Sequence, residues 1–161
     1  MKFIITIFIL ISLLNVSFGK IYTECELATE LSNKFDMKYK EIQNWVCIAK
    51  TSSNFDTSRK EHFSKKRIYY HGLFMISDRY WCSHGANRTQ ENICKVRCSE
   101  LRSDDIAASV NCARTIYKEG GNSYKRWGKT AKDCKNNLPN LRHCFTKLFK
   151  LPKGKDLNMK I

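Results

Sequence analysis

Acidic residues are scarce in this chain. Its 161 residues include 15 Asp and Glu against 29 Lys and Arg, so the formal net charge is +14 at pH 7. A surface with this excess of cations favours anionic partners such as acidic glycans, bacterial envelopes or membrane surfaces. No DNA-reading motif is visible, so we expect no nucleic-acid partner. A soluble basic protein that uses its charge for nothing specific is the plainer alternative.

Long apolar segments are absent after the first nineteen residues. Residues 3–14 form a largely apolar run behind Lys2, and Ser17-Phe18-Gly19 then offers the small residues of a signal-peptidase site. A membrane-spanning helix needs about 20 apolar residues, which this run does not supply. We therefore expect residues 1–19 to be a removed signal peptide, a secreted mature chain that starts at Lys20, and no transmembrane anchor.

A second cysteine pair that could complete a zinc site is also lacking. Cys94 and Cys98 are closely spaced, but no matching pair follows, and His84 and His143 are poorly placed to complete a site. An even number of cysteines in a short exported chain indicates disulfides, although spacing alone leaves their connectivity open. We expect four disulfides, no metal and no cofactor. The eight cysteines are Cys25, Cys47, Cys82, Cys94, Cys98, Cys112, Cys134 and Cys144.

Most of the remaining pattern predicts helices. Thr23 and Glu26 have the spacing of a capping box, in which each side chain accepts a hydrogen bond from the other residue's backbone. Apolar residues then recur at three- and four-residue intervals. This periodicity predicts helices over 24–34, 41–51, from Asp104 to Gly120, and around 124–133.

A β-rich segment separates the second helix from the third. Residues 52–64 are polar and predict a loop. Residues 67–76 are rich in aromatic and β-branched side chains, interrupted by His71-Gly72, which predicts a short hairpin. The chain is long enough for one domain but not two, so we expect a single α+β domain over residues 20–145.

The segment 146–161 contains five lysines and one aspartate. Its apolar residues interleave with the lysines, as in a weak amphipathic helix that lies on an anionic surface. Pro152-Lys153-Gly154 instead favours a flexible basic tail, which is the interpretation we prefer.

Asn87-Arg88-Thr89 forms an N-glycosylation sequon in a chain that we expect to be exported. It lies between Cys82 and Cys94, in a stretch that we expect to be exposed. Asn87 is therefore a candidate glycosylation site, although short sequons also arise by chance.

Several blocks of sequence resemble one known family, the C-type lysozymes and α-lactalbumins (glycoside hydrolase family 22). The matching blocks, in order, are Cys25-Glu26-Leu27-Ala28, Asn44-Trp45-Val46-Cys47-Ile48-Ala49-Lys50, Ser77-Asp78-Arg79-Tyr80-Trp81-Cys82, Asp104-Asp105-Ile106-Ala107, Trp127-x6-Cys134 and Cys144. The resemblance implies a helical lobe, a small antiparallel β lobe and a sugar-binding cleft between them. It also implies the disulfides Cys25–Cys144, Cys47–Cys134, Cys82–Cys98 and Cys94–Cys112.

The two carboxylates that the resemblance implies for catalysis are missing. In this family one carboxylic acid protonates the leaving oxygen and a second, ionised carboxylate attacks or stabilises the oxocarbenium centre. The first position, five residues after Cys47, is Ser52, and the second is Tyr70. A serine hydroxyl cannot replace a general acid, a role worth about 10²–10⁴ in rate. Three other acids are near in sequence but at none of the expected positions: Asp56, Glu61 and Asp78.

The resemblance also implies six substrate-binding positions, at Met75, Ser77, Tyr80, Trp81, Arg126 and Trp127. Tyr80 and Trp81 can stack on sugar rings, or they can pack against the disulfide at Cys82. Met75 and Ser77 stand where the family has amide side chains that bind sugar. Trp127 can line the cleft or, without a catalytic acid beside it, belong to the core.

Some family members bind calcium through carboxylates at the start of the third helix. Here Asp104 and Asp105 are present, but Ala108 and Ser109 replace the later carboxylates. Calcium needs several oxygen ligands, so we expect no metal and interpret Asp104 and Asp105 as helix caps.

We therefore expect a secreted, monomeric, non-catalytic lysozyme-like protein that binds peptidoglycan or an acidic polysaccharide. Two alternatives stay open. One is a divergent muramidase that uses relocated acids, and the other is a cationic antibacterial protein that acts without hydrolysis.

Overall fold

The computed structural model describes residues 19–63, 67–85 and 91–145. Over these ranges, the α-helices are α1 Glu24–Phe35, α2 Tyr39–Ser53, α3 Ala107–Glu119, α4 Lys129–Asn136 and α5 Arg142–Phe145. The strands are β1 Lys60–Phe63, β2 Ile68–His71 and β3 Ile76–Ser77, and two 3-10 helices span Glu100–Arg102 and Tyr124–Trp127. None of the helices in the described ranges is long and apolar enough to cross a membrane. The α+β class is confirmed.

The predicted capping box starts α1. The Thr23 hydroxyl accepts a hydrogen bond from the Glu26 amide at 3.2 Å, and the Glu26 carboxylate accepts one from the Thr23 amide at 2.8 Å. The hydrogen bond from the Thr23 backbone is the main reason that the pKa of Glu26 is lowered. Leu27, Ala28 and Leu31 then repeat at helical spacing and are fully buried. Local sequence therefore accounts for both the start and the buried face of α1.

Helix α2 is longer than the sequence predicts, because it runs through Ser53. The Ser53 hydroxyl is buried and donates to the carbonyls of Ala49, 3.0 Å away, and Leu73, 2.8 Å away. The second of these lies in the β lobe, so a contact distant in sequence supports the last turn of α2. The predicted loop 52–64 is wrong at both ends, since its final residues form β1.

The β lobe is a three-stranded antiparallel sheet in the order β1-β2-β3, and the predicted hairpin is confirmed. Gly72 follows β2 with φ of +70°, and a Cβ there would lie 1.7 Å from the Leu101 carbonyl oxygen. Only glycine fits this turn and this close approach. The same carbonyl accepts a hydrogen bond from Ser109 of α3 at 2.8 Å. Gly72 therefore brings the sheet against the segment that leads into α3.

Helix α3 begins at Ala107, later than the aspartates that we expected to cap it. The N-cap residue is Ile106 and no side chain caps it, so Asp105 is not the predicted cap, although its carboxylate accepts a hydrogen bond from the Ala107 amide at 3.1 Å. The prediction for Asp104 is wrong, because its carboxylate accepts from the Lys20 amide instead, at 2.6 Å. The predicted helix 124–133 is interrupted at Gly128, where φ is 55° and ψ is −119°, and becomes a 3-10 helix followed by α4.

The four disulfides have the pairing that the resemblance implies: Cys25–Cys144, Cys47–Cys134, Cys82–Cys98 and Cys94–Cys112. The first joins α1 to α5, and the second joins α2 to α4. The third closes a loop of the β lobe and the fourth connects that loop to α3. Each contributes about 2–4 kcal/mol, chiefly by restricting the unfolded chain.

Candidate functional site

A cavity of about 330 Å³ opens between the helical lobe and the sheet. It is lined by residues of α2, α3, α4, the Tyr124–Trp127 helix and the strands β2 and β3. The lining residues are Ser52, Tyr70, Met75, Ile76, Ser77, Trp81, Ile116, Arg126, Trp127, Gly128 and Thr130. We refer to it as the cleft. The structure thus brings together every cleft residue predicted from the sequence except Tyr80.

The cleft contains a hydroxyl and a phenol where the family mechanism needs carboxyl groups. Ser52 lies in the last turn of α2 and Tyr70 lies on β2, both half-buried. Within the described ranges, no Asp or Glu is among the lining residues. Two-carboxylate hydrolysis requires one group that donates a proton and one that carries negative charge. Ser52 and Tyr70 are not carboxyl groups, so the described lining lacks that pair.

Glu61 is the acid that the fold places beside Tyr70. It faces Tyr70 across the β1–β2 pair, and half of its side chain is exposed. Arg59 donates to its carboxylate through Nε at 2.9 Å and also through Nη2. A general acid in this chemistry is kept protonated by an apolar pocket. An exposed carboxylate held by a guanidinium is in the opposite environment.

The other two nearby acids are engaged by their own loops. Asp56 accepts hydrogen bonds from both the amide and the hydroxyl of Ser58, at 2.8 and 2.6 Å. Asp78 is only 2% exposed and accepts from the Tyr69 amide at 3.0 Å, while its second oxygen lies 2.8 Å from His84 Nε2. Neither carboxylate contributes to the cleft lining. The geometry therefore gives no support to a relocated catalytic acid.

Trp127 belongs both to the cleft wall and to the core. Its indole nitrogen donates to the Phe74 carbonyl at 2.9 Å, which fixes the ring against the β lobe. Its ring also meets the buried Trp45 edge-on, with the ring centres 5.1 Å apart. Because one side is packed in this way, the half-buried indole is a rigid surface for a ligand. Trp127 therefore lines the cleft and packs against the core, and its role in binding a saccharide stays a prediction.

Trp81 and Tyr80 differ in their surroundings although they are adjacent. Trp81 is 8% exposed and contributes to the cleft wall, so it is mostly packed. Tyr80 is 38% exposed, lies outside the cleft lining, and carries the Arg79 guanidinium 5.0 Å from its ring centre. A sugar ring would have to displace that cation to stack on Tyr80.

Three further residues, Met75, Ser77 and Arg126, determine the polarity of the cleft lining. Met75 has a positive φ of 48° in the turn before β3, and its side chain brings a thioether to the lining. Ser77 pairs with Tyr70 across β2 and β3. Arg126 is exposed and adds a cation to the lining. The lining of the cleft therefore includes a thioether, hydroxyls and a cation.

Four lining residues of the cleft were not predicted as site residues: Ile76, Ile116, Gly128 and Thr130. Ile76 stands between Met75 and Ser77, and Gly128 directly follows Trp127, so their neighbours in sequence were the available signal for these two. Asn87 and the tail 146–161 lie outside the described residues, so their predicted roles stay predictions.

Three groups of side chains in the described residues lie close enough together to suggest a metal site, but two of them consist largely of disulfide-bonded cysteines. The third is His71, Asp78 and His84. Arg102 Nη1 lies 2.8 Å from His71 Nδ1, and a guanidinium can only donate. The proton of the neutral imidazole is then on Nε2, which has no hydrogen-bond partner within the described structure. A protonated nitrogen has no free lone pair for a metal ion. At the start of α3, Ala108 supplies no oxygen ligand and Ser109 donates to Leu101, so a calcium set is also incomplete.

Comparison with known proteins identifies relatives of the same architecture. A family model described as the C-type lysozyme/alpha-lactalbumin family matches residues 20–144. Lysozyme C of Penaeus merguiensis is 35% identical over 133 residues, which cover 79% of this chain and 82% of the relative. Lysozyme of Bombyx mori is 37% identical over 138 residues, covering 86% and 96%. The crystal structure of a lysozyme from Litopenaeus vannamei matches with a TM-score of 0.68 at 31% identity, over 82% of this chain and 99% of that chain.

The resemblance seen in the sequence blocks, the two lobes with their four disulfides, and the match over residues 20–144 all agree. The chain belongs to the C-type lysozyme/α-lactalbumin family.

Proposed function

We propose that this chain is a secreted, non-catalytic member of the family that binds peptidoglycan or an acidic polysaccharide in its cleft. The observation that carries the proposal is the presence of Ser52 and Tyr70 in an otherwise well-formed cleft. The fold, the disulfides and the aromatic wall are all in place, whereas the groups that would break a glycosidic bond are absent from the lining.

The polar character of the cleft supports an anionic saccharide as ligand. Arg126 supplies a cation, Trp81 and Trp127 supply ring surface, and the whole chain carries a formal charge of +14. Charge attraction increases the rate of encounter with a negatively charged polymer and makes binding sensitive to salt. Residues 1–19 have the pattern of a signal peptide that is cleaved before Lys20. This pattern supports export to a compartment where such polymers are found.

The opposing hypothesis is a working muramidase, since the relatives are named lysozymes. Hydrolysis of a defined chito-oligosaccharide by purified, disulfide-intact protein separates the two. We expect no turnover by the natural sequence. The double variant Ser52→Glu, Tyr70→Asp should gain measurable hydrolysis, because it supplies both carboxyl groups on elements that already border the cleft.

The matched control is Ser52→Gln, Tyr70→Asn, which has nearly the same shape but no ionisable group. It should stay inactive and should still bind. Repeated turnover by the natural sequence would contradict the proposal. Loss of that turnover in Glu61→Gln would then assign catalysis to the acid beside Tyr70.

A further inference from the structure

A second pocket, of about 340 Å³, lies in the β lobe and shares no lining residue with the cleft. All of its lining residues except a glycine have polar side chains, and three are basic. They are Ser83, His84, Gly85, Arg97, Ser99 and Arg102. Among the described residues that line it there is no carboxylate. We refer to it as the basic pocket.

The two walls of the basic pocket are fastened to each other. The Cys82–Cys98 disulfide joins the segment before Ser83 to the segment after Arg97. Ser83 also donates to the Val96 carbonyl at 3.1 Å and accepts from the Cys98 amide at 2.9 Å. Because the walls are already held at a fixed separation, a ligand would not have to order them on binding.

The side chain of Arg102 is positioned by a hydrogen bond to the buried His71. Its Nη1 donates to His71 Nδ1 at 2.8 Å, and His71 is fully buried. Burial, followed by the charge of Arg102, lowers the pKa of His71 to about 4. The imidazole is therefore neutral near pH 7 and can accept this hydrogen bond. A single acceptor uses one of the five N–H donors of a guanidinium, so others are free to meet a ligand.

Two carboxylates lie close by, but both are engaged outside the lining. Asp78 is buried against the Tyr69 amide and His84. Glu100 accepts a hydrogen bond from the Arg97 backbone amide at 2.5 Å. The guanidinium groups of Arg97 and Arg102 form no ion pair with any acid in the described residues.

We propose that the basic pocket binds a tetrahedral oxyanion, the sulfate or phosphate group of an acidic polymer, through Arg97, Arg102 and neighbouring serine hydroxyls. Planar guanidinium groups bind such oxyanions with paired hydrogen bonds, and hydroxyls complete the coordination. This inference rests on the proposed function because it takes an acidic polymer as the ligand and specifies the charged group of that polymer. It adds an anchoring site that is separate from the cleft.

The experiment follows backbone amide shifts of Ser83, Gly85 and Arg97 by NMR while sodium sulfate or sodium phosphate replaces sodium chloride at constant ionic strength. We expect saturable shifts at these amides. Arg102→Gln should weaken the binding at least about tenfold, because a hydrogen bond to a charged group is lost. The matched control Lys118→Gln removes the same charge from an exposed position in the helical lobe and should change the affinity less than about twofold.

Shifts that fail to saturate with either ion, or equal weakening by Arg102→Gln and Lys118→Gln, would overturn the proposal. If Arg102→Gln does not fold, Arg97→Gln replaces it, since Arg97 is exposed on a loop.

Two polymers then distinguish the source of the oxyanion: a sulfated glycosaminoglycan and poly(glycerol phosphate). If Arg102→Gln reduces the binding of one polymer, that polymer carries the group that the pocket recognises. If the variant reduces the binding of neither polymer, the polymer part of the proposal is overturned. Binding of an uncharged chito-oligosaccharide is measured in parallel. It reports on the cleft alone, so failure of the cleft proposal and failure of the basic pocket are seen separately.

Discussion

The helical lobe and the β lobe are stabilised in different ways. The helical lobe has a continuous apolar core around Trp45, which contacts the rings of Phe74, Tyr117, Tyr124 and Trp127 edge-on. The β lobe contributes Leu73, Phe74 and Ile76 to the same core, and it also buries the polar side chains of His71 and Asp78. A small sheet cannot bury enough apolar area to be stable alone. Its position therefore depends on particular hydrogen bonds and close approaches.

The contacts between the lobes show the same dependence. Ser53 of α2 and Ser109 of α3 are buried, and each donates to a carbonyl that belongs to the β-lobe side, Leu73 and Leu101 respectively. A hydrogen bond of this kind contributes about 1 kcal/mol when made, and leaving one partner buried and unpaired costs about 1–3 kcal/mol. Small geometric changes should therefore harm the β lobe more than the helical lobe.

The largest expected effect comes from a comparison of two glycines with nearly the same positive φ. Gly72 has φ of +70° and would place a Cβ 1.7 Å from the Leu101 carbonyl, whereas Gly121 has φ of +74° and open space around it. Both Gly→Ala variants carry the left-handed strain of about 1–2 kcal/mol. Gly72→Ala should lose about 1–3 kcal/mol more, because backbone atoms must move. Urea unfolding with intact disulfides measures the difference, and equal losses would contradict the comparison.

The next largest effect on stability concerns the amino-terminal seam, by which we mean the contacts of Lys20 with Thr57 and Asp104. The Lys20 amide nitrogen lies 2.6 Å from Asp104 Oδ1 and 2.8 Å from Thr57 Oγ1. An amide has one hydrogen to share between two acceptors, but the ammonium of a chain that begins at Lys20 has three. At position 19, a Cβ would lie 2.0 Å from Ser58 Cβ, so a residue with a side chain has little room there.

A protein that begins at Lys20 should therefore be more stable than one with an additional amino-terminal residue, by about 1.5–3 kcal/mol. Asp104→Asn should remove most of that difference, whereas Asp105→Asn should leave it, since the Asp105 carboxylate accepts from the Ala107 amide and not from Lys20. The four proteins with and without the additional amino-terminal residue, each with and without Asp104→Asn, form a double-mutant cycle that urea unfolding measures. Additive losses in that cycle would show that the terminal charge and Asp104 do not interact.

The seam also shows which parts of the fold the sequence could predict. The capping box at Thr23 and Glu26 depends on neighbours three residues apart, and it was predicted correctly. The late start of α3 was not, because Asp104 bonds with Lys20, 84 residues away. Cleft residues were found where they continue a recognisable block, as Trp81 and Trp127 do. The basic pocket was missed, since Arg97 and Arg102 meet His84 only through folding and the Cys82–Cys98 disulfide.

The effect that is smallest near neutral pH appears only on acidification, and it distinguishes the lobes. Burial lowers the pKa of His71 from its ordinary value to about 4, so the unfolded chain takes up a proton near pH 6.5 that the folded chain does not. Stability therefore falls as pH falls between about 6.5 and 4, with a slope of at most about 1.4 kcal/mol per pH unit. Above that window both states are neutral at this residue, and its contribution is constant.

Amide hydrogen exchange can assign that loss to one lobe. Between pH 6.5 and 4, after correction for intrinsic exchange, protection should decrease more in β2 than in α1, because His71 lies on β2 whereas the buried face of α1 is apolar. His71→Gln should remove the additional pH dependence of protection in β2, although it also weakens the hydrogen bond that positions Arg102. His62→Gln on the exposed strand β1 should not change it. A parallel decrease in both lobes would mean that they unfold as one unit, and that buried polar groups of the β lobe do not set a separate local stability.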